Sequence, residues 1–190
     1  MAKTDAQRVV LELIRNADGS WDGKTKLSTA FYLAHLYYAA KEPGILTDWP
    51  IVRTPQGPGI HQLSTLLQGL VKNGYLTTER TQEGPYPDYR YRLTEKAAAE
   101  LPLPEDVRAA IQDAVTFVAS KTAAELSQLT RERSRSWIDA KDGDLLDIYI
   151  DLIPDDEYEQ EQEKLADLDR QLTTALLDQQ IAGGLGVKQP

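Results

Sequence analysis

The sequence predicts a mainly α-helical protein with a small β-hairpin, an α+β fold class, followed by a long C-terminal helix. Apolar residues recur at three- and four-residue spacing along most of the 190 residues, which is typical of amphipathic helices. Two short strand-like runs, 75–80 and 89–94, flank a turn-rich segment, and apolar and charged residues alternate in the second run, which indicates a hairpin. From Asp155 onward the helical pattern becomes strongly acidic, and its apolar stripe is thin.

Two helices are predicted before the centre of the chain, over residues 4–17 and 24–41. The second is apolar on nearly all sides, so we expect it to lie in the middle of the core. Trp21 falls in the loop between them and is expected to be a packing anchor. We interpret His35 as a half-buried side chain that is hydrogen-bonded to a carbonyl, because no partner residues lie at metal-binding spacing.

Residues 54–94 form the centre of the predicted domain. The segment 54–59 is rich in Pro and Gly and reads as a turn that no helix crosses. A helix follows, with its apolar residues on one face, and Asn73-Gly74 ends it before the hairpin over 75–94. The order turn, helix, hairpin is that of the second half of a winged-helix unit, and equally that of any helix packed on a hairpin.

The winged-helix interpretation carries an alternative function, that of a DNA-binding transcription regulator which also regulates its own operon. The outer face of the helix would then contact the major groove. One Lys, one Gln and no Arg on that face provide few contacts to bases or phosphates, which favours a solvated face. The candidate DNA-binding residues are His61, Thr65, Gln68 and Lys72 beside Arg90 and Arg92 of the hairpin.

Further helices are predicted over 95–101 and 104–120, and a third begins at the capping-box pair Thr122 and Glu125. This third helix leads to a cationic corner before the apolar segment 145–153. Three Arg so close together suit pairing with nearby acids or the binding of an anion. The members of the corner are Arg131, Arg133, Arg135 and Trp137.

The predicted organisation is a helical domain over 1–153 with its hairpin at 75–94, an acidic amphipathic helix over 154–182, and a disordered tail over 183–190. A thin, nearly heptad stripe on a terminal helix suits docking on another surface, of this molecule or of a partner. The candidate partner-binding residues of the helix are Asp155, Asp156, Glu159, Glu163, Leu165, Leu168 and Leu172.

Composition and charge restrict the function. Up to Ala98 the chain has 12 Lys and Arg against 10 Asp and Glu, a net +2; from Ala99 it has 9 against 20, a net −11. An acidic half favours cationic partners.

The sequence contains no recognisable catalytic or metal-binding motif. It has no Cys, two His and no nucleophile–base pair or phosphate loop, so we expect no enzyme, no cofactor and no metal. The acids at 139, 142, 144 and 147 lack the spacing of a calcium-binding loop. No signal peptide or membrane span is recognisable, so we expect a cytoplasmic protein.

Several motifs together resemble the Panacea domain of SocA-like antitoxins over most of residues 4–153. The chain departs from the family pattern at Gln56, where an aromatic is usual, and at Arg131, where His is usual. The most specific motifs lie in the second half. The motifs are Lys26-Leu27 with Tyr32-Leu33-Ala34, Gly57-Pro58, Gly74-Tyr75, Tyr91-Arg92-Leu93-Thr94, the run from Glu125 to Thr130, Ser136-Trp137 and Gly143-Asp144.

The resemblance implies a non-catalytic protein of a toxin–antitoxin system, often encoded beside a toxin or carried by a prophage. Such a protein neutralises a cognate toxin by direct protein–protein contact, and some relatives deliver the partner to a protease. Operator DNA and a second copy of the chain are further partners that we consider. Toxins that act on RNA or nucleotides often carry cationic surfaces, since their substrates are anionic, and an acidic helix laid across such a surface would exclude the substrate.

Overall fold

The structure is a computed structural model that describes residues 5–42, 44–81 and 88–184, without the side chains of residues 88 and 177–184. The chain divides into two compact units, Met1–Leu152 and Ile153–Pro190. The described residues are mainly α-helical with small antiparallel sheets, which confirms the α+β fold class.

The helices and strands follow the predicted order, with additional strands. In chain order they are α1 (Asp5–Asn16), β1 (Ser20–Asp22), α2 (Lys24–Ala39), β2 (Ile51–Thr54), β3 (Gly57–Ile60), α3 (Leu63–Lys72), β4 (Leu76–Thr81), β5 (Asp88–Leu93), α4 (Glu95–Ala98), α5 (Glu105–Ala119), α6 (Ala123–Arg133), α7 (Arg135–Ile138), a 3-10 helix (Ile148–Leu152) and α8 (Asp155–Gly184).

Helix α2 lies in the middle of the first unit, as its apolar composition predicts. It packs against α1, α5, α6 and β3, and Leu27, Ala30 and Phe31 are inaccessible to solvent. His35 is fully buried rather than half-buried. Its Nδ1 lies 2.8 Å from the carbonyl oxygen of Phe31, so the predicted carbonyl contact is present.

The hairpin of β4 and β5 gains a third strand, and the sheet order is β1-β5-β4. Strand β1 contains Trp21, which lies opposite Tyr91. The expectation that Trp21 lies in a loop was therefore wrong, whereas its buried indole is the expected packing anchor. A strand of three residues is too short for alternation to reveal it, and it forms because β5 offers a free edge.

A second ribbon, β2 paired with β3, occupies the place where the sequence predicted an extended connection and a turn. Gly57 has φ +119, and a Cβ there would lie 2.4 Å from Oγ1 of Thr130 in α6. Pro58 stands in β3 opposite Arg53, which an edge strand tolerates. The Pro and Gly residues that read as turn punctuation thus allow a close approach of this ribbon to α6.

Caps define several helix ends as predicted. Thr122 and Glu125 form the reciprocal capping box of α6, Thr94 caps α4, and Gly74 takes the left-handed conformation after α3. Helix α4 is shorter than predicted and ends at Ala98. In the apolar segment 145–153 only Ile148 is buried, and Leu145 is 70% exposed while its backbone bridges to Val52 of β2.

Helix α8 runs to Gly184, two residues past the predicted end at 182, and the rest of the expected disordered tail lies outside the described residues. Within the part of the chain that the structure describes, no helix combines the length and the apolar character needed to cross a bilayer.

Candidate functional site

Helix α8 presents an exposed leucine stripe, which we define as Leu165, Leu168, Leu172 and Leu176. These side chains are 51%, 54%, 63% and 60% exposed. At 3.6 residues per turn they fall within one narrow sector of the helix, as the near-heptad spacing predicted. Isolated exposed leucines are ordinary, but four in a row on one face form an apolar patch that indicates binding.

The same helix is strongly acidic. From Asp155 to Gly184 it carries nine Asp and Glu residues against Lys164 and Arg170. Asp155 and Asp156 occupy the first turn, where the positive end of the helix dipole stabilises carboxylates. The two bases are held within the helix, since Lys164 pairs with Glu161 at 3.5 Å and Arg170 pairs with Asp167 at 2.5 Å.

The predicted acids and leucines do not share one face of α8. With 100° between successive residues, Asp156, Glu159 and Glu163 lie on the side opposite to the leucine stripe. A flat partner surface cannot touch both sides at once. The leucines and these carboxylates therefore belong to two different surfaces of α8.

The cationic corner divides into engaged and exposed members. The Trp137 indole N–H donates to the Thr54 carbonyl at 2.8 Å, and the Arg53 guanidinium lies 4.0 Å from its ring centroid. Arg53 also pairs with Asp142 and donates to the Trp137 carbonyl at 3.0 Å. Trp137 thus joins α7 to β2.

Two of the three arginines of the corner donate to backbone oxygens. Arg131 Nε donates to the Ser127 carbonyl at 3.2 Å, and Arg135 donates to the Ile150 carbonyl at 3.4 Å. Within the described ranges, Arg131 and Arg133 have no carboxylate within 4.0 Å, so the expected pairing with acids is not seen for these two. Both are exposed, and Arg133 lines a pocket against α2 and α5.

A polar hub at Asp151 was not predicted. Its carboxylate accepts hydrogen bonds from the Tyr32 hydroxyl at 2.7 Å, from the Ser134 and Ser136 hydroxyls at 2.9 and 2.8 Å, and from the Ser136 backbone N–H at 2.9 Å. Burial, and then the Asp151 charge, raise the pKa of Tyr32 far above its ordinary value, so the phenol stays a donor. The hub joins α2, α7 and the 3-10 helix.

One sequence signal pointed to this hub. Asp151 is an acid inside the otherwise apolar run from Ile148 to Ile153, and two serines flank the start of α7. An acid at a position that the pattern places inward needs donors around it. Pattern alone could not identify Tyr32, because it lies 119 positions away.

The residues of the alternative DNA-binding hypothesis are only partly brought together. Thr65, Gln68 and Lys72 are exposed along α3, while His61 lies in the turn before the helix rather than on its outer face. Arg90 pairs with Asp22 at 2.6 Å and Arg92 with Glu79 at 3.5 Å. A pocket of about 440 Å³ separates α3 from the sheet, and Lys24 stands on its rim with Gln68 and Lys72.

The next feature is the set of acidic side chains that could bind a metal ion. Among the described residues, no group of three or more His, Asp and Glu side chains is arranged to hold a metal ion. In the acidic turn, Asp142 pairs with Arg53, and Asp144 accepts the Lys141 backbone N–H at 2.8 Å. These carboxylates fix the turn that joins β2.

No family model, no curated protein and no solved structure matches this chain.

Proposed function

We propose that this chain is an antitoxin-like protein-binding module that neutralises a cognate toxin by direct protein–protein contact through α8. The single observation that supports this most is the exposed leucine stripe on a helix whose net charge is strongly negative. An unpartnered apolar stripe on a long helix suits docking into a groove of another protein. Full burial of a leucine side chain stabilises a complex by about 1.5–3 kcal/mol before the costs of association.

The charge of α8 selects the chemistry of the partner. Two parallel copies of this helix would bring like charges together, which disfavours self-association, whereas a cationic groove is complementary to it. Proteins that act on RNA or nucleotides carry such grooves because their substrates are anionic. An α8 helix seated in that groove would exclude the substrate without any catalytic step.

The test uses the full chain and the product of the neighbouring gene, each purified, with binding followed by biolayer interferometry. The variant Leu165→Ser/Leu168→Ser/Leu172→Ser removes the apolar contact. The matched control Gln160→Ser/Ala166→Ser/Thr174→Ser introduces the same number of serines on the other side of α8. The proposal requires loss of binding in the first variant and retention in the second; equal binding by both variants would refute it.

A second candidate function is DNA binding by a winged-helix unit. It is favoured by the order α1, β1, α2, α3, β4, β5, which the ribbon of β2 and β3 interrupts between α2 and α3, together with the pairing of β1 with β5. The exposed Thr65, Gln68 and Lys72 would then face the major groove. The two ion pairs of Arg90 and Arg92 reduce the charge available for phosphates.

Fluorescence anisotropy with the upstream duplex of the chain's own gene tests this second candidate. Binding at 50 mM salt that weakens steeply at 200 mM, and that is reduced by Lys72→Gln, would support it. The absence of a signal at low salt would exclude DNA binding. That result would leave the toxin-binding proposal unaffected.

A further inference from the structure

A pocket of about 390 Å³ lies in the first unit between α2, the end of α5 and α6. We call it the Lys121 pocket and define it by Leu33, Leu36, Phe117, Lys121, Leu129 and Arg133. Its volume is within the range of pockets that hold small molecules. None of these residues belongs to α8, which carries the leucine stripe of the proposed function.

The walls of the Lys121 pocket are apolar and its rim is cationic. Leucines from α2 and α6 and the Phe117 ring form the walls. Lys121 lies with its Nζ 4.2 Å from the Phe117 ring centroid, and Nζ donates a 3.3 Å hydrogen bond to Ser120 Oγ. Arg133 is exposed and has no ion pair within the described residues.

The acid on which the Lys121 charge acts is already hydrogen-bonded to other groups. Glu125 is held in the capping box, and hydrogen bonds from Thr122, with a smaller effect of Lys121, lower the pKa of its carboxyl. The Lys121 ammonium therefore keeps donors for another anion. Two cations on one rim without a bonded carboxylate are complementary to an anionic group.

The acid that lines the pocket determines which end of a ligand enters. Asp151 lines the pocket beside the buried Tyr32, and its carboxylate already accepts the four hydrogen bonds of the hub. A second carboxylate next to Asp151 would be repelled, since like charges close together are costly. The anionic group must stay at the rim, and the apolar part must point inward.

We propose that the Lys121 pocket binds a small amphipathic monocarboxylate, with its carboxylate between Lys121 and Arg133 and its aryl or alkyl body against the leucines and Phe117. The inference does not rest on toxin binding. It assigns a small-molecule site to a region that has no role in the partner surface on α8.

The test is a titration of the ¹⁵N-labelled full chain with 3-phenylpropionate, followed by NMR. The expected result is saturable shifts confined to the amides around Leu33, Phe117 and Leu129, with a Kd on the order of 1 mM for so small a probe. The neutral amide 3-phenylpropanamide should bind several-fold more weakly. Raising NaCl to 0.5 M should weaken the binding of the carboxylate probe but not the binding of the amide probe.

Substitutions decide between this site and adventitious binding. Lys121→Gln and Arg133→Gln should each raise the Kd about two- to fivefold, since both heads are partly solvated. Arg131→Gln removes an exposed cation from the same helix that does not line the pocket, and it should leave the Kd unchanged. Shifts that map elsewhere, equal binding of the amide, or equal effects of Arg131→Gln and Arg133→Gln would overturn the proposal.

Discussion

The Tyr32 hydroxyl donates to the Asp151 carboxylate at 2.7 Å and so connects the central helix to the end of the first unit. Ser134 and Ser136 add their donors to the same carboxylate. Ser134 is 1% exposed and Tyr32 4% exposed, so water cannot easily replace the acceptor. The integrity of the segment between α7 and α8 depends on this contact.

Removal of that carboxylate is expected to destabilise the fold strongly. Asp151→Ala leaves the Tyr32 hydroxyl and one of the two serine hydroxyls without an acceptor, since Ser134 and Ser136 can bond only to each other, at a cost of about 2–4 kcal/mol in the free energy of unfolding. Urea denaturation measures the change. Asp147→Ala removes an exposed acid four positions earlier that accepts only the Tyr149 backbone N–H, at 3.3 Å, and should cost about 1 kcal/mol or less. Equal midpoints for the two variants would show that the hub contributes little.

Much of the helical framework could be predicted from sequence because its determinants are local. Caps at Thr122 and Gly74, and the all-round apolar character of α2, act within a few residues. The ribbon of β2 and β3 could not be predicted in this way. Its strands of four residues contain Gly57 and Pro58, and contacts with α6 and with residues 143–146 hold them.

The candidate site was predicted only in part: the face of α8 followed from the sequence, whereas the contacts of Trp137 and Asp151 did not. The leucine spacing on α8 revealed the stripe, since periodicity reports a face. The hydrogen bonds of Trp137 with Arg53 and Thr54 could not be predicted from the sequence, because those partners lie more than eighty positions away. The Asp151 hub was missed for the same reason.

A substitution at Gly57 tests how closely the ribbon of β2 and β3 packs on α6. Gly57→Ala should cost about 2–4 kcal/mol, since the new methyl group adds a clash with Thr130 to the strain at φ +119. Gly74→Ala is the matched control, because it has φ +73 and nothing within 4 Å of the added Cβ, so only strain of about 1–2 kcal/mol applies.

A double-mutant cycle separates the two contributions at Gly57. Thr130→Ala removes the atom that the new methyl group meets, so it should recover part of the loss caused by Gly57→Ala. Additive effects of the two substitutions would contradict the predicted clash.

His35 should make stability depend on pH. Burial lowers the pKa of His35 below its ordinary value of 6.5, so the folded state resists protonation that the unfolded chain accepts. The contribution is therefore present above pH 6.5 and is lost as the pH falls below it. Between pH 7.5 and 5.5 the free energy of unfolding of wild type should fall more than that of His35→Gln. A wild-type slope in His35→Gln would contradict the prediction.

The two faces of α8 should separate in binding kinetics with the cognate toxin. Glu159→Gln/Glu163→Gln should lower the association rate roughly three- to tenfold at low salt and leave dissociation nearly unchanged, because these carboxylates steer the partner without contacting it. Leu168→Ala should instead raise the dissociation rate. An increase in the dissociation rate for the acid variant would place those carboxylates in the interface.

The most direct measurement is protection from the cognate toxin in cells. The product of the neighbouring gene is co-expressed with the full chain, with Leu165→Ser/Leu168→Ser/Leu172→Ser, or with the control Gln160→Ser/Ala166→Ser/Thr174→Ser, and growth is followed at matched protein levels. Growth should be restored by the wild type and the control and should fail with the leucine variant, although that variant unfolds at the wild-type urea concentration. Equal protection by the leucine variant would contradict the assignment of toxin neutralisation to α8.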